Sequence, residues 1–442
     1  MIQVRRRTQS QLLRSRPNPG DSVAAVNLFR KVRTFDDNKL LGIITMKLKK
    51  VYLFTSVSTQ YGVLDHFIGE LNNALNRQGV ISRVIEAKRD DPRSFLDQLL
   101  NDPPDCTLSF NGLLPDENGR FLSDMIKIPH VACLTDAPNH FFPLVKSPYT
   151  IITCVDRNFC QTFRDFKAPH VLFMPHAVSK SLAPPLSNTP RYDLLLLNSF
   201  IDYEAIRQEW TAKYPPDLIA VLEEAAELTL NDQHISYMQA FIQTLDRHLR
   251  AGKAIDPRQL DYEALLDDLE AYLGGKSRIE LVQSIEEATV HIFGSQPQTG
   301  GWKKYLGKKS NVKIHSAVPF SEALELIKQA KIVLNCTPEI KQGAHERILS
   351  GLACGAAVLT LDTPYIREHF TDEENILMYG PRQWKELNRK IRTYLADDDK
   401  RHHLVGKGRE KVMHHHTWDQ RALHLINELP SMLESIRTQH LS

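Results

Sequence analysis

A chain of 442 residues, 42% of them hydrophobic, has material for two to three domains with real cores. Its formal net charge of +2 gives no general case for a nucleic-acid partner, and no apolar run approaches the roughly 18 to 20 residues of a membrane-spanning helix. The six cysteines form no Cys-x-x-Cys pair and lie mostly in apolar, strand-like surroundings, so free buried thiols in a reducing cytoplasm are expected.

The first 20 residues, MIQVRRRTQSQLLRSRPNPG, hold five arginines and no acid. Residues 1–45 are expected to be a disordered basic arm, with peripheral contact to an anionic membrane surface as the alternative role. From Lys50 short apolar runs alternate with helical patterns. Val51 to Ser56, Ile81 to Ile85, Cys106 to Phe110, His130 to Leu134, Thr150 to Val155 and Val171 to Met174 read as strands. Leu64, Phe67, Ile68, Leu71 and Leu75 share one helical face after the loop Val57 to Gly62. This order predicts a doubly wound parallel sheet, a Rossmann-like domain over residues 46–182. Asp136, His140, Asp156 and His176 each follow a strand, where a side chain can face a cleft; each could equally be a turn, cap or satisfied structural group.

The segment LAPPLSNTP, residues 182–190, has linker composition, and Tyr192 to Leu197 starts a second sheet. Residues 204–287 carry three helical stripes, led by Leu218, Met238 and Leu265, and are expected to form a helical insert packed beside that sheet. Strands resume at Thr289 to Phe293, ending in Gly294, whose missing Cβ lets a chain or ligand approach closely. The segment GGWKKYLGKKS fails as a phosphate loop because its glycine spacing is wrong. Val312 to His315 and a helix from Ser321 follow.

The stretch Ile332 to Thr360 organises the second domain, expected over residues 191–380. A buried strand to Asn335 is broken by Pro338 and Gly343; a helix with Ile348, Leu349, Leu352 and Ala353 on one face then starts near Ala344 and stops at Gly355. A helix beginning just beyond the carboxyl end of a parallel strand, with His345 and Arg347 in its first turn, favours a phosphate or diphosphate. Residues 381–442 read as C-terminal helices, and the adjacent His414, His415 and His416 point in different directions, so no metal site is expected.

The segment TPEIKQGAHERILSGLACGAAVLT resembles the donor site of bacterial glycosyltransferases related to spore-maturation protein, within the GT-B class with a group 1 C-terminal domain. The resemblance is detailed over Thr289 to Phe370 and architectural over Met46 to Val178, and leaves the first 45 residues and the insert uncovered. It implies two Rossmann-like domains facing a cleft, with no cofactor beyond a nucleotide-sugar donor on the second domain and an unidentified acceptor on the first. It implies donor-binding roles for Gly294, Gly343, His345, Glu346, Arg347 and Ser350, and catalytic roles for Asp136, Asp156 and Arg347 in metal-independent transfer. His416-Thr417-Trp418 resembles the segment before the helices that cross back onto the first domain. Many retaining relatives have two glutamates where this chain has Gln342 and Ser350, so the retaining mechanism does not carry over. A sugar-nucleotide epimerase or hydrolase, or a catalytically degenerate scaffold, are the competing functions.

Overall fold

The computed structural model describes residues 47–55, 60–86, 92–184 and 190–439. The basic arm, part of the Val57 to Gly62 loop and the middle of the linker lie outside the described residues.

Strands β1 (Lys50–Phe54), β2 (Ile81–Ile85), β3 (Cys106–Phe110), β4 (His130–Leu134), β5 (Thr150–Cys154) and β6 (Val171–Phe173) form the first sheet, in the order β2-β1-β3-β4-β5-β6. Its central strands β3, β4 and β5 are buried along their whole length, as expected of short apolar runs covered by helices on both faces. A second sheet runs β12-β11-β10-β7-β8-β9, from β7 (Tyr192–Leu197), β8 (Val290–Phe293), β9 (Val312–His315), β10 (Ala330–Leu334), β11 (Ala357–Leu361) and β12 (Leu377–Tyr379). Leu194 of β7 stands between Val290 and Ile332, and every pairing in both sheets is parallel. Two doubly wound, Rossmann-like sheets with flanking helices make this the GT-B fold.

Both sheets reverse strand order beside their first strand, β1 and β7, and open α/β sheets bind ligands at the carboxyl ends of strands around such switch points. The final helix, Trp418–Gln439, crosses back onto the first domain. Trp418 packs on Phe67 and Phe110, Thr417 bridges Val178, and Arg77 holds Asp419 at 2.8 Å. Among the described residues no helix is long and apolar enough to cross a membrane, and all six cysteines are free and buried.

The insert departs from expectation. Its helices Tyr203–Lys213, Pro216–Asn231, Tyr237–Arg250 and Tyr262–Ser284 bury Trp210, Leu222, Phe241 and Leu269 in one core with Leu134, Phe141, Phe159 and Phe163. Those last four residues belong to the first domain. Although the insert sits within the sequence of the second domain, it is packed chiefly on the first, and its last helix returns to the second sheet through Ile279, Leu281 and Val282. That helix therefore spans both halves of the molecule.

Candidate active site

The carboxyl ends of both sheets open onto one cleft of about 1070 Å³. It is lined from the first domain by Asp136, His140 and His176, and from the second by Asn198, Gly294, His345, Glu346, Arg347 and Ser350. Six of the eight residues named from the sequence as site residues thus meet in one place. Gly294 is required by backbone crowding at the end of β8, since a Cβ there would stand 2.1 Å from the Asn198 carbonyl oxygen.

Arg347 enters the cleft from the first turn of the Glu346–Ala353 helix and is 8% exposed. Its Nη1 donates to Oδ1 of Asn198 and Oδ1 of Asn335, each at 3.2 Å. The Asn335 amide is fixed in that orientation because its Nδ2 donates to the hydroxyls of Thr337 and Thr360, each at 3.1 Å. Among the described residues no carboxylate stands within ion-pair distance of Arg347. Burial lowers its pKa. The Glu346 carboxylate offsets part of the cost of burying this guanidinium, while its hydrogen bonds go only to neutral amide oxygens, which leaves donors for an anion from outside.

His345 precedes the helix, with Nδ1 3.2 Å from the Arg347 N–H and in contact with the Glu346 carboxylate. Burial opposes ionisation of Glu346, but His345 and then Arg347 outweigh it and hold its carboxyl far below the usual range. The His176 ring lies 6.1 Å from the His345 ring and is pushed down to about 4 by burial, so it is neutral at physiological pH. Across the cleft, Asp136 accepts from Asn111 Nδ2 at 2.7 Å. One edge of Asp136 meets solvent, yet the cleft walls strip water from the carboxyl and push its pKa upward, against the Asn111 hydrogen bond. His140 is raised first by its contact with Glu270, from which it stands 3.6 Å.

Two residues are corrected. Asp156, expected as a catalytic carboxylate, is fully buried away from the cleft. Its Oδ1 accepts from Asn158 N at 2.7 Å as a helix cap, and its Oδ2 accepts from Lys341 N at 2.9 Å and Gln342 N at 2.7 Å. It fastens the first domain to the loop of the second. Gly343, expected to bind donor, is the other half of that joint: it forms a bridge with Asp156, and a Cβ there would stand 2.1 Å from the Val155 carbonyl oxygen.

Sequence reasoning missed Asn198, Asn335, Glu270 and Arg278, which come together only through the tertiary fold. Arg278 lies on the last insert helix, lines the cleft and donates from Nη1 to the Ser199 carbonyl oxygen at 3.0 Å. The one available signal was Gly274-Gly275 inside a helical stripe. A Cβ on Gly275 would stand 2.9 Å from the Ile201 carbonyl oxygen, so the glycine lets this helix lie against the chain leaving β7.

Residues 278–427 match the family model described as glycosyl transferase-like, a match that begins at Arg278 and includes His345, Arg347 and Ser350. The solved structures similar to this chain include sucrose-phosphate synthase of Thermosynechococcus elongatus, 11% identical with a TM-score of 0.48 over 88% of this chain and 100% of that one. Another is HepE of Anabaena in complex with UDP and glucose, 11% identical with a TM-score of 0.48 over 87% and 100%. A third is a glycosyltransferase from Rickettsia africae, 10% identical with a TM-score of 0.47 over 88% and 99%. No curated protein matches the chain.

Proposed function

We propose that this protein is a glycosyltransferase that takes a sugar from a nucleotide-sugar donor, seated on the second domain, and passes it to an acceptor hydroxyl in the cleft. The observation that carries the reading is Arg347, a buried cation whose hydrogen bonds go only to neutral amide oxygens, at the start of a helix facing the switch point of the second sheet. The match of residues 278–427 to a glycosyl transferase-like family supports it from the sequence side. The finer kinship with the glycosyltransferases related to spore-maturation protein rests on the Gly343 to Arg347 turn and the Ala353-Cys354-Gly355 end.

In this reading the donor's diphosphate lies against Arg347, the free N–H groups of the helix start and Ser350. As the sugar–oxygen bond breaks, negative charge grows on the departing nucleoside diphosphate, and these preorganised donors stabilise it without a metal ion. Asp136, in the cleft with its pKa raised, takes the proton of the acceptor hydroxyl in an inverting transfer. Its pKa lies nearer to neutrality than an ordinary aspartate, as a general base needs. Buried free thiols fit a reducing, cytoplasmic compartment.

The test is a panel of nucleotide sugars and nucleoside diphosphates screened for thermal stabilisation and for sugar release, because a bound ligand raises apparent stability by mass action. A nucleotide sugar should stabilise the protein and lose its sugar faster when an acceptor mixture is added. Donor turnover indifferent to any acceptor would instead make the protein an epimerase or hydrolase. Binding without turnover would make it a scaffold, as the non-acidic Gln342 and Ser350 allow.

A further inference from the structure

The wall that the first domain gives to the cleft is shaped by one sharp turn. Asn111 and Gly112, which follow β3, both have left-handed backbones, with φ of 57° and 67°. A Cβ on Gly112 would stand 2.9 Å from the Ala132 Cβ, so glycine lets the turn press against β4. The chain leaving that turn carries Leu113 and Leu114 into the lining of the cleft, and Leu114 is left 49% exposed. Phe110 and Phe141 line the cleft from the same domain, and Tyr61 and Val63 continue the wall at the start of the helix Val63–Arg77. An apolar wall beside a candidate catalytic carboxylate points to a ligand with an apolar body.

The polar side chains of this wall are engaged chiefly with one another. Oδ1 of Asn111 accepts from both the N–H and the hydroxyl of Thr135, each at 2.9 Å, and its Nδ2 donates to Asp136. The Ser109 hydroxyl bonds the buried His130 ring at 2.9 Å. His140 lies between the carboxylates of Asp267 and Glu270, at 3.4 and 3.6 Å, and the Tyr61 hydroxyl stands 3.1 Å from that of Ser199 in the second domain. A sugar acceptor needs a partner for each of several hydroxyls, and every hydroxyl pressed against leucine or phenylalanine without one loses its bonds to water. An acceptor with one hydroxyl on an apolar body gives up only the water around hydrocarbon, which favours binding.

We propose that the acceptor is an apolar alcohol, with one hydroxyl presented to Asp136 on a hydrocarbon or aromatic body that lies against Leu113, Leu114, Phe141 and the ring of Tyr61. This rests on the glycosyltransferase reading above and deepens it by naming the acceptor class. In the transfer the acceptor oxygen forms the new bond to the anomeric carbon, its proton passes to Asp136, and the electron pair of the old bond leaves with the nucleoside diphosphate. Asp136 then returns the proton to water, and the product is an apolar glycoside. Leu114, half exposed on its loop, is the specificity residue of this wall: it touches the acceptor body and takes no part in the bond changes.

The test offers the wild type a pool of UDP-glucose, UDP-galactose, UDP-N-acetylglucosamine and GDP-mannose with one acceptor at a time, and reads the products by mass. 4-Methylumbelliferone serves as the phenol, farnesol as the long-chain alcohol, and glucose, N-acetylglucosamine and glycerol as the polyols. A glycoside of the phenol or of farnesol should form at least about 10-fold faster than any polyol product, and the faster of the two tells an aromatic body from an aliphatic one. Leu114→Asn should raise KM for that acceptor by about 10-fold with kcat within about 2-fold and the urea midpoint unmoved, while Leu114→Met stays within about 2-fold of the wild type. A polyol glycosylated faster than both apolar alcohols overturns the proposal and leaves the donor reading standing, and so does a wild-type KM in Leu114→Asn. Transfer to neither apolar alcohol from a donor that the protein binds overturns it as well. If no nucleotide sugar or nucleoside diphosphate stabilises the wild type and none is consumed with any acceptor, the glycosyltransferase reading itself fails and this inference with it.

Discussion

Replacing Asp156 with alanine separates the two meanings an aspartate after a β-strand can have. The carboxylate accepts from three backbone N–H groups, on Asn158, Lys341 and Gln342, and is fully buried. Removing it strands those donors, at roughly 1–2 kcal/mol each, a loss of about 3–6 kcal/mol. Part of that is returned, because the wild type holds a buried charge: burial lifts the Asp156 pKa from 3.8 to about 6 against its backbone hydrogen bonds. At neutral pH this shift corresponds to a penalty of about 3 kcal/mol on the ionised group, which alanine does not carry. The net expectation for Asp156→Ala is a loss of about 0–3 kcal/mol in urea unfolding at neutral pH, with the joint between the domains loosened. Donor turnover per folded molecule, corrected for the unfolded fraction at each temperature, should fall less than about 10-fold, since the group touches no cleft atom. A variant with wild-type stability and turnover reduced by about 1000-fold would refute the reasoning and restore Asp156 as a catalytic carboxylate.

Asp136→Asn should do the reverse, lowering turnover by about 100-fold while the urea midpoint moves little, because Asn111 can still bond its amide oxygen. Glu339 should make the wild type pH-sensitive. Its carboxyl is raised from 4.5 to about 7 by burial, among Arg278, Glu270 and Lys341. A raised carboxyl contributes stability that is present below its unfolded pKa and is lost as pH climbs towards the folded one, so the stability of Glu339→Gln relative to wild type should grow by about 3 kcal/mol between about pH 4.5 and pH 8. A difference that stays constant across that range would mean Glu339 is solvated and ordinary. Activity should persist in EDTA, because the proposed leaving-group stabilisation comes from arginine and backbone N–H groups. Abolition by chelator with rescue by magnesium or manganese would point to a metal ion instead.

The parallel sheets were legible because each strand is a short, doubly buried apolar run, a pattern that needs no knowledge of its neighbours. The donor helix was legible for a related reason: strand end, broken loop and apolar stripe are local, and Arg347 and His345 fall where they must once the helix starts. What the chain could not show is which surface a stripe meets. The faces of Leu222, Phe241 and Leu269 were correctly apolar, yet their partner is the first domain, because a hydrophobic stripe specifies burial and not the identity of the surface that buries it. Asp136 and Asp156 look alike in sequence, each an acid after a strand, and only the arrival of the Lys341–Gln342 backbone distinguishes them. Gly343 was noticed as a break in the backbone before the donor helix, and what approaches it is the Val155 carbonyl. Arg278 was invisible as a cleft residue because it is brought there by a helix that packs on both domains.

The measurement that bears most directly on the account is the kinetics of Arg347→Ala with whichever nucleotide sugar the screen identifies. Arg347 is a buried cation that hydrogen-bonds only neutral amide oxygens, so alanine relieves a desolvation cost that offsets the lost attraction to Glu346, while removing a charge-assisted bond that strengthens as the diphosphate departs. The account predicts kcat/KM lower by about 100-fold with a urea midpoint unchanged or raised, and only partial recovery in Arg347→Lys, because a point charge cannot reproduce the planar fork. A destabilised variant whose folded fraction turns over donor at the wild-type rate would contradict it, and would move the donor site away from the Glu346–Ala353 helix.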